Sequence, residues 1–306
     1  MSKPPDIVLG SFIADALALG PHWVYDRGQI VAQLGRVTRY HPPLAKYHPG
    51  KRAGDLTHYG DQALLLLRSI ADGGGFELAR FAAVWRGYWE DPATISYRDG
   101  ATKATLANLQ AGVAPAAAAS ASSDMGGATR IAPLFLLHWE NDAALLDAAR
   151  AVTAFTHGAA AVIQSAGFFA RVALAAQRGV EIPAALEEAA AAGGWDALPD
   201  VWLAAARESS GSAATDAAAL EKHGLSCDVT DAFPGICHLL LRYPQDPATA
   251  LIENASAGGD SAARGMILGL VYGARFPVST WPPEWRDALQ AGPEIDRLIQ
   301  VLAPHS

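Results

Sequence analysis

Asp61-Gln62-Ala63-Leu64-Leu65-Leu66-Leu67-Arg68-Ser69-Ile70-Ala71-Asp72-Gly73-Gly74-Gly75 decides the fold class. Leu64, Leu65, Leu67, Ile70 and Ala71 recur at the spacing of one helical face, and three glycines end the segment. Residues 76–88 continue the pattern through Leu78, Phe81, Val84, Trp85 and Tyr88. Upstream, Ile7, Phe12, Leu17 and Leu19 lie near one face of a segment opened by Pro4-Pro5-Asp6, with Asp6 a candidate N-cap. Downstream, the spacing predicts helices over 101–109, 131–139, 142–155, 159–178, 182–192, 196–204, 228–241, 247–253, 261–274 and 283–291. No set of alternating Val/Ile/Thr runs has the regular spacing of a sheet. The predicted fold class is all-α. Linkers are short and no Pro/Ser-rich tether divides the chain, which predicts one compact multi-helix domain over residues 1–306.

Composition narrows the function. Hydrophobic residues make up 51% of the chain and charged residues 18%, which excludes a disordered chain. A net charge of −8 gives no general field to attract nucleic acid or an anionic membrane. The opening Met-Ser-Lys-Pro-Pro-Asp lacks a signal-peptide layout, and the apolar stretch 7–19, interrupted by Asp15, is too short to span a bilayer. Cys227 and Cys237 read as reduced thiols. These features predict a soluble cytoplasmic protein with no nucleic-acid and no membrane partner.

Four polar clusters interrupt the apolar helices. Asp15 sits among apolar neighbours, where a carboxylate needs donors, either as a cap for another segment or as a working group. In the same cluster, residues 10–26, His22, Tyr25 and Asp26 crowd a Gly-Pro bend. Tyr59-Gly60-Asp61-Gln62 precedes the leucine run; Asp61 suits a first helical turn or a catalytic carboxylate. Thr156-His157 lies between two helices, and Gly258-Gly259-Asp260-Ser261 opens another. Two long polar stretches, 36–59 and 119–130, read as loops; the first carries His41, Tyr47, His48, His58 and Tyr59.

In this order the clusters resemble the ADP-ribosylglycohydrolase family, over roughly residues 6–285. Gly10…Ala14-Asp15-Ala16-Leu17 is similar to its opening Gly-x-x-x-Gly-Asp-Ala-Leu-Gly, and Tyr59-Gly60-Asp61-Gln62 stands in the place of its Thr-Asp-Asp-Thr-Gln. Asp124-Met125-Gly126-Gly127-Ala128-Thr129-Arg130-Ile131-Ala132-Pro133-Leu134 resembles Gly-Asn-Gly-Ala-Ala-Met-Arg-x-Ala-Pro-Leu. Thr156-His157, Gly258-Gly259-Asp260-Ser261-Ala262-Ala263 and Trp281-Pro282-Pro283-Glu284-Trp285 complete the set. The resemblance implies an all-α bundle that cleaves a ribosyl or ADP-ribosyl group from a small molecule or a protein side chain.

It also implies two Mg²⁺ or Mn²⁺ ions held by carboxylates, and here the sequence departs. Aligned on Gln62, the two metal Asp positions become Tyr59 and Gly60; the early Glu becomes His22, and the last motif carries Ala262 and Ala263. Asp61 and Asp260 are the carboxylates left, a set too thin for two hard cations. No metal cofactor is therefore expected, and any single ion would fall to Asp61 and Asp260. The residue-level expectation is a rewired glycosidase site. Asp61, Asp260 and His22 are its candidate catalytic groups. Tyr25, Asp26, Tyr59, Gln62, Gly126, Gly127, Arg130, His157, Ser261 and Arg264 are its candidate substrate-binding residues. Arg130 and the backbone of 124–130 would meet a phosphate. Arg264 would replace the metal's charge or form a structural ion pair with Asp260 or Asp61. The alternative function is a non-catalytic relative, binding ADP-ribose or serving a structural, crystallin-like role.

Overall fold

Apolar helical faces need partners, and the chain supplies them to one another. In a computed structural model that describes residues 3–302, they fold into sixteen α-helices and shorter 3-10 turns. Residues 1–2 and 303–306 of the expected domain lie outside the described residues. First come α1 (Pro4–Ala18), α2 (Arg27–Leu34), α3 (His58–Gly73), α4 (Leu78–Glu90) and α5 (Gly100–Gln110). A 3-10 helix over Met125–Leu134 leads into α6 (Phe135–His138), α7 (Asp142–Ala154), α8 (Ala160–Gln177), α9 (Ile182–Ala191) and α10 (Asp200–Ser210). The last six are α11 (Asp216–His223), α12 (Val229–Arg242), α13 (Pro247–Ala257), α14 (Ser261–Arg275), α15 (Pro283–Asp287) and α16 (Gly292–Leu302). No strand forms among the described residues. Isolated bridges join Ser120 to His157 and Asp124 to Asp228. The all-α fold follows.

Several local expectations change. Asp6 is not the N-cap: α1 starts at Pro4, and the Asp6 carboxylate accepts from the Lys3 backbone N–H at 3.0 Å, closing the first turn from inside. The segment 125–134, expected as loop running into helix, is a 3-10 helix, because Pro133 removes an amide and the two glycines lower α-propensity. The helix expected from residue 196 starts at Asp200, directly after Pro199.

The centre of the fold is the pair α1 and α14. Residues 7–18 of α1 and 261–274 of α14 are all buried, so both helices are covered on every side and are mostly apolar. Burying Ile7, Val8, Phe12, Ile13 and Leu17 alone contributes roughly 10 kcal/mol of gross transfer energy. The two backbones touch through glycine: a Cβ on Gly10 would stand 2.4 Å from the Gly269 carbonyl oxygen, and one on Gly269 would stand 2.2 Å from that of Gly10. α8 is long and apolar enough to cross a membrane by composition alone; here it packs against α7, α9 and α14 as a core helix.

Candidate active site

The polar groups of the site come from the ends of these buried helices. Asp15, near the C-terminal end of α1, is fully buried and accepts from the Thr57 N–H at 2.7 Å and the Thr57 hydroxyl at 2.6 Å. It therefore fastens α1 to the start of α3, the capping role. Burial drives its pKa up to about 7, and the two Thr57 donors oppose that rise. A Cβ at Gly60 would lie 2.2 Å from the Asp15 carboxylate, so Asp15 fills the space where a second side chain of that motif would stand.

Gly258 and Gly259 take positive φ, 73° and 60°, and let the backbone before α14 pair with the segment after α1. Trp23 N–H donates to the Gly259 carbonyl at 2.7 Å, and Gly259 N–H donates to Val24 at 2.8 Å. Trp23 itself is held at φ 61°, a conformation that costs a bulky residue about 1–3 kcal/mol. The contortion sets His22 against Asp260, with Nδ1 3.3 Å from Oδ1.

A pair of carboxylates lies at the centre. The Tyr59 hydroxyl is 3.2 Å from both oxygens of Asp124 and 3.2 Å from Oδ2 of Asp260. A phenol has one proton, so it donates to one carboxylate. The other contact is favourable only when that carboxyl is protonated and donates in return. Burial pushes Asp124 up to about 7, helped by the charge of Asp260 and opposed by the Gly126 N–H at 2.7 Å. Burial likewise raises Asp260 to about 6, against the pull of Arg264, His58, the Ala263 N–H and Tyr59. Both are held toward the protonated form, and the phenol between them favours one protonated and one ionised carboxyl. Cys227 joins them: its Sγ and one oxygen from each carboxylate lie within 4.8 Å of one another. Burial, then the charges of Asp124 and Asp260, keep this thiol protonated.

Imidazoles and guanidinium groups surround the pair. Arg130 is buried with Nε and Nη1 unpaired within the protein, and burial lowers its pKa to about 10 against the pull of Asp99, Asp124 and Tyr59. His157 bonds Thr156 Oγ1 through Nδ1 at 2.8 Å and leaves Nε2 unpaired. Tyr25 is 55% exposed and stands at the surface above Asp260, Cys227, Arg264 and Asp124, whose charges it feels; burial of its inner side raises it to about 12.

The structure thus brings His22, Tyr59 and Asp260 into contact, with Tyr25, Arg130 and Arg264 near them. It does not bring Asp61. That carboxylate binds Lys51 Nζ at 2.7 and 2.9 Å and the Tyr88 hydroxyl at 3.4 Å. Asp61 follows Tyr59 by two residues, about 200° round α3, and so points elsewhere. The same geometry turns Asp61 away from the single-ion pairing with Asp260 that the sequence left open. Gln62 accepts from Trp85 Nε1 at 2.9 Å and joins α3 to α4. Ser261 is buried against the Ala18 carbonyl, and Asp26 caps α2 by accepting from the Gln29 N–H at 3.3 Å. Gly126 and Gly127 do not cradle a phosphate. Their N–H groups bond Asp124, and their missing side chains make room for the rings of Tyr59 and His157. Arg264 makes neither expected ion pair: its Nε donates to Asn254 at 3.0 Å and its Nη2 to the Gly258 carbonyl at 2.6 Å. It acts on Asp260 through charge at a distance.

Sequence reasoning missed Asp124, Asp99, Cys227, Trp23, His48 and His58 as site residues. The signal for the two histidines was present, in the His-rich stretch 36–59. For Cys227 there was none, because it reaches Asp124 only through the pairing of Met125 N–H with the Cys227 carbonyl at 2.7 Å.

The raised carboxyls make stability depend on pH in a definite direction. Between about pH 4 and 7 the folded chain holds a proton on Asp124 that the unfolded chain has released, so this group's contribution falls as pH rises. Asp124→Asn removes that dependence. Relative to the parent, the variant is expected to gain more than about 1 kcal/mol of unfolding free energy from pH 5 to pH 8, measured by urea unfolding.

The two hard dications implied by the motif resemblance do not fit this donor set. They ask for six or more oxygen ligands each, whereas Asp124 and Asp260 are joined by a phenol and flanked by a thiol and an imidazole. Gly60 contributes no ligand, and Asp15 is spent on Thr57.

Comparison with known proteins agrees with the fold. No curated protein matches the chain. A solved structure titled ADP-ribosylglycohydrolase-related protein complex is similar to it at TM-score 0.76 and 21% identity, over 98% of each chain. The family described as ADP-ribosylglycohydrolase matches residues 6–306. The chain belongs to the ADP-ribosylglycohydrolase family.

Proposed function

We propose that this chain hydrolyses the N- or O-glycosidic bond of a ribosyl or ADP-ribosyl compound, small or protein-attached, at the Asp124–Asp260 pair. The observation that carries this reading is the single Tyr59 hydroxyl between the buried Asp260 and the half-buried Asp124. One protonated carboxyl supplies the general acid for the leaving group. Its ionised partner stabilises positive charge at the anomeric carbon or activates water. The buried Arg130 balances the negative charge of Asp124 and Asp99. Tyr25, Trp23, Tyr47 and Tyr97 offer aromatic faces at the surface side, with Trp23 packed edge-on to Tyr47 and Tyr97 at 5.1 Å each. The site is rebuilt around carboxyl and imidazole groups in place of a pair of hard cations. The free thiols and net negative charge fit work in the cytoplasm, away from nucleic acid and membranes.

The test is release of ribosyl product from ADP-ribosyl-arginine, ADP-ribosyl-serine and simple ribosides, followed by mass spectrometry. At least one substrate is expected to turn over, with kcat falling above about pH 7 as the shared proton is lost. No release from any of them, with or without Mg²⁺, overturns the reading. Thermal stabilisation by ADP-ribose without turnover would instead identify a binding protein.

A further inference from the structure

Beside the carboxylate pair lies a second cluster. His22, His48 and His58 are each buried to 1% exposure or less, and one ring nitrogen from each lies within 4.8 Å of the others. Their ring centroids form a near-equilateral triangle of 5.4, 5.4 and 5.9 Å. We propose that these three imidazoles form a binding site for one borderline first-row dication, zinc by preference, distinct from the carboxylate centre expected from the resemblance.

Three observations carry it. First, His48 Nε2 and His58 Nδ1 face each other at 3.3 Å. Two nitrogens on a tetrahedral zinc at about 2.0–2.1 Å are separated by about 3.3–3.4 Å. Second, the outward nitrogens of two rings meet carboxylates: His22 Nδ1 lies 3.3 Å from Asp260, and His58 Nε2 lies 3.3 Å from Asp99. Neither contact has full hydrogen-bond geometry, but a carboxylate at that distance favours the N–H on its side of the ring, as it does behind a ligating imidazole. It leaves His22 Nε2 and His58 Nδ1 as the inward atoms. Third, His22 Nε2 is buried and has no partner within the protein. Buried polar atoms are ordinarily satisfied, and a cation between three lone pairs satisfies them together. Soft-to-borderline imidazole donors select zinc-class ions over Mg²⁺. The alternative, in which the rings only pack with Trp23 and Tyr97 and His48 bonds His58, leaves the buried His22 Nε2 unexplained.

The site borders the proposed catalytic pair through Asp260, but its test needs no turnover. Tag-free full-length protein is stripped with chelator, desalted and titrated with Zn²⁺ by calorimetry, then with Co²⁺ in a spectrophotometer. The expected result is one ion per chain and the intense visible absorption of four-coordinate Co²⁺, without a sulfur-to-metal charge-transfer band. His48→Ala and His58→Gln are each expected to weaken binding at least about 100-fold, and Asp99→Asn about 10–100-fold. Cys227→Ser should leave it unchanged, which separates this site from the Asp124–Cys227–Asp260 trio. Sub-stoichiometric binding, undiminished binding in both histidine variants, or a charge-transfer band lost in Cys227→Ser overturns the proposal. The wild-type Co²⁺ spectrum decides even where a histidine variant fails to fold.

Discussion

Asp260→Asn is expected to lower kcat for ribosyl release by about 10²–10⁴-fold, the usual cost of removing a general acid or base. Asparagine keeps an oxygen for the Ala263 N–H at the start of α14, so helix capping survives and the loss reports on chemistry. Asp124→Asn is expected to do the same, because either substitution ends the sharing of one proton across Tyr59. Asp61→Asn should leave kcat near the parent value, since Asp61 is occupied by Lys51 and Tyr88. Single-turnover kinetics on the three variants separates them. An inactive Asp61 variant beside an active Asp260 variant would return the chemistry to Asp61, the other candidate carboxylate of the sequence.

The second large effect is on stability. Gly269→Val places a branched side chain where a Cβ alone would sit 2.2 Å from the Gly10 carbonyl oxygen. The neighbour is backbone of a fully buried helix and has nowhere to move. The expected destabilisation is about 3 kcal/mol or more, a fall in Tm of roughly 6 °C or more by calorimetry. Activity should fall with it, because α14 carries Asp260 at its start and α1 leads into His22. An unchanged Tm would show that the α1–α14 contact is looser than described.

Much of this was legible in the sequence, and the reasons differ by element. The Leu64–Ala71 face announced α3 because a period of 3.6 needs no tertiary information. The α1–α14 contact was half legible: Gly265, Gly269 and Gly273 leave room for close packing but do not say against which helix. Short or polar helices such as α2 and α11 gave too few apolar repeats to show. At the site, motif order located the meeting of positions 22, 59 and 260. Asp61 and Asp124 could not be told apart in one dimension, because they differ chiefly in where their backbones turn. Asp61 suited a first helical turn, and does occupy one, yet a 200° rotation aims it at Lys51. Asp124 opened a glycine-containing stretch that suggested an anion cradle, but its own carboxylate takes the Gly126 amide meant for that anion. Arg264 looked like a free cation in one dimension, whereas in the fold it braces Asn254 and Gly258.

A crystal structure of the chain with ADP-ribose bound tests the account most directly. It should show the ribose between Asp124 and Asp260, within hydrogen-bond reach of at least one of them, with Asp61 still paired to Lys51. Ribose seated on Asp61, or a pair of octahedral cations standing between Asp124 and Asp260, would contradict it.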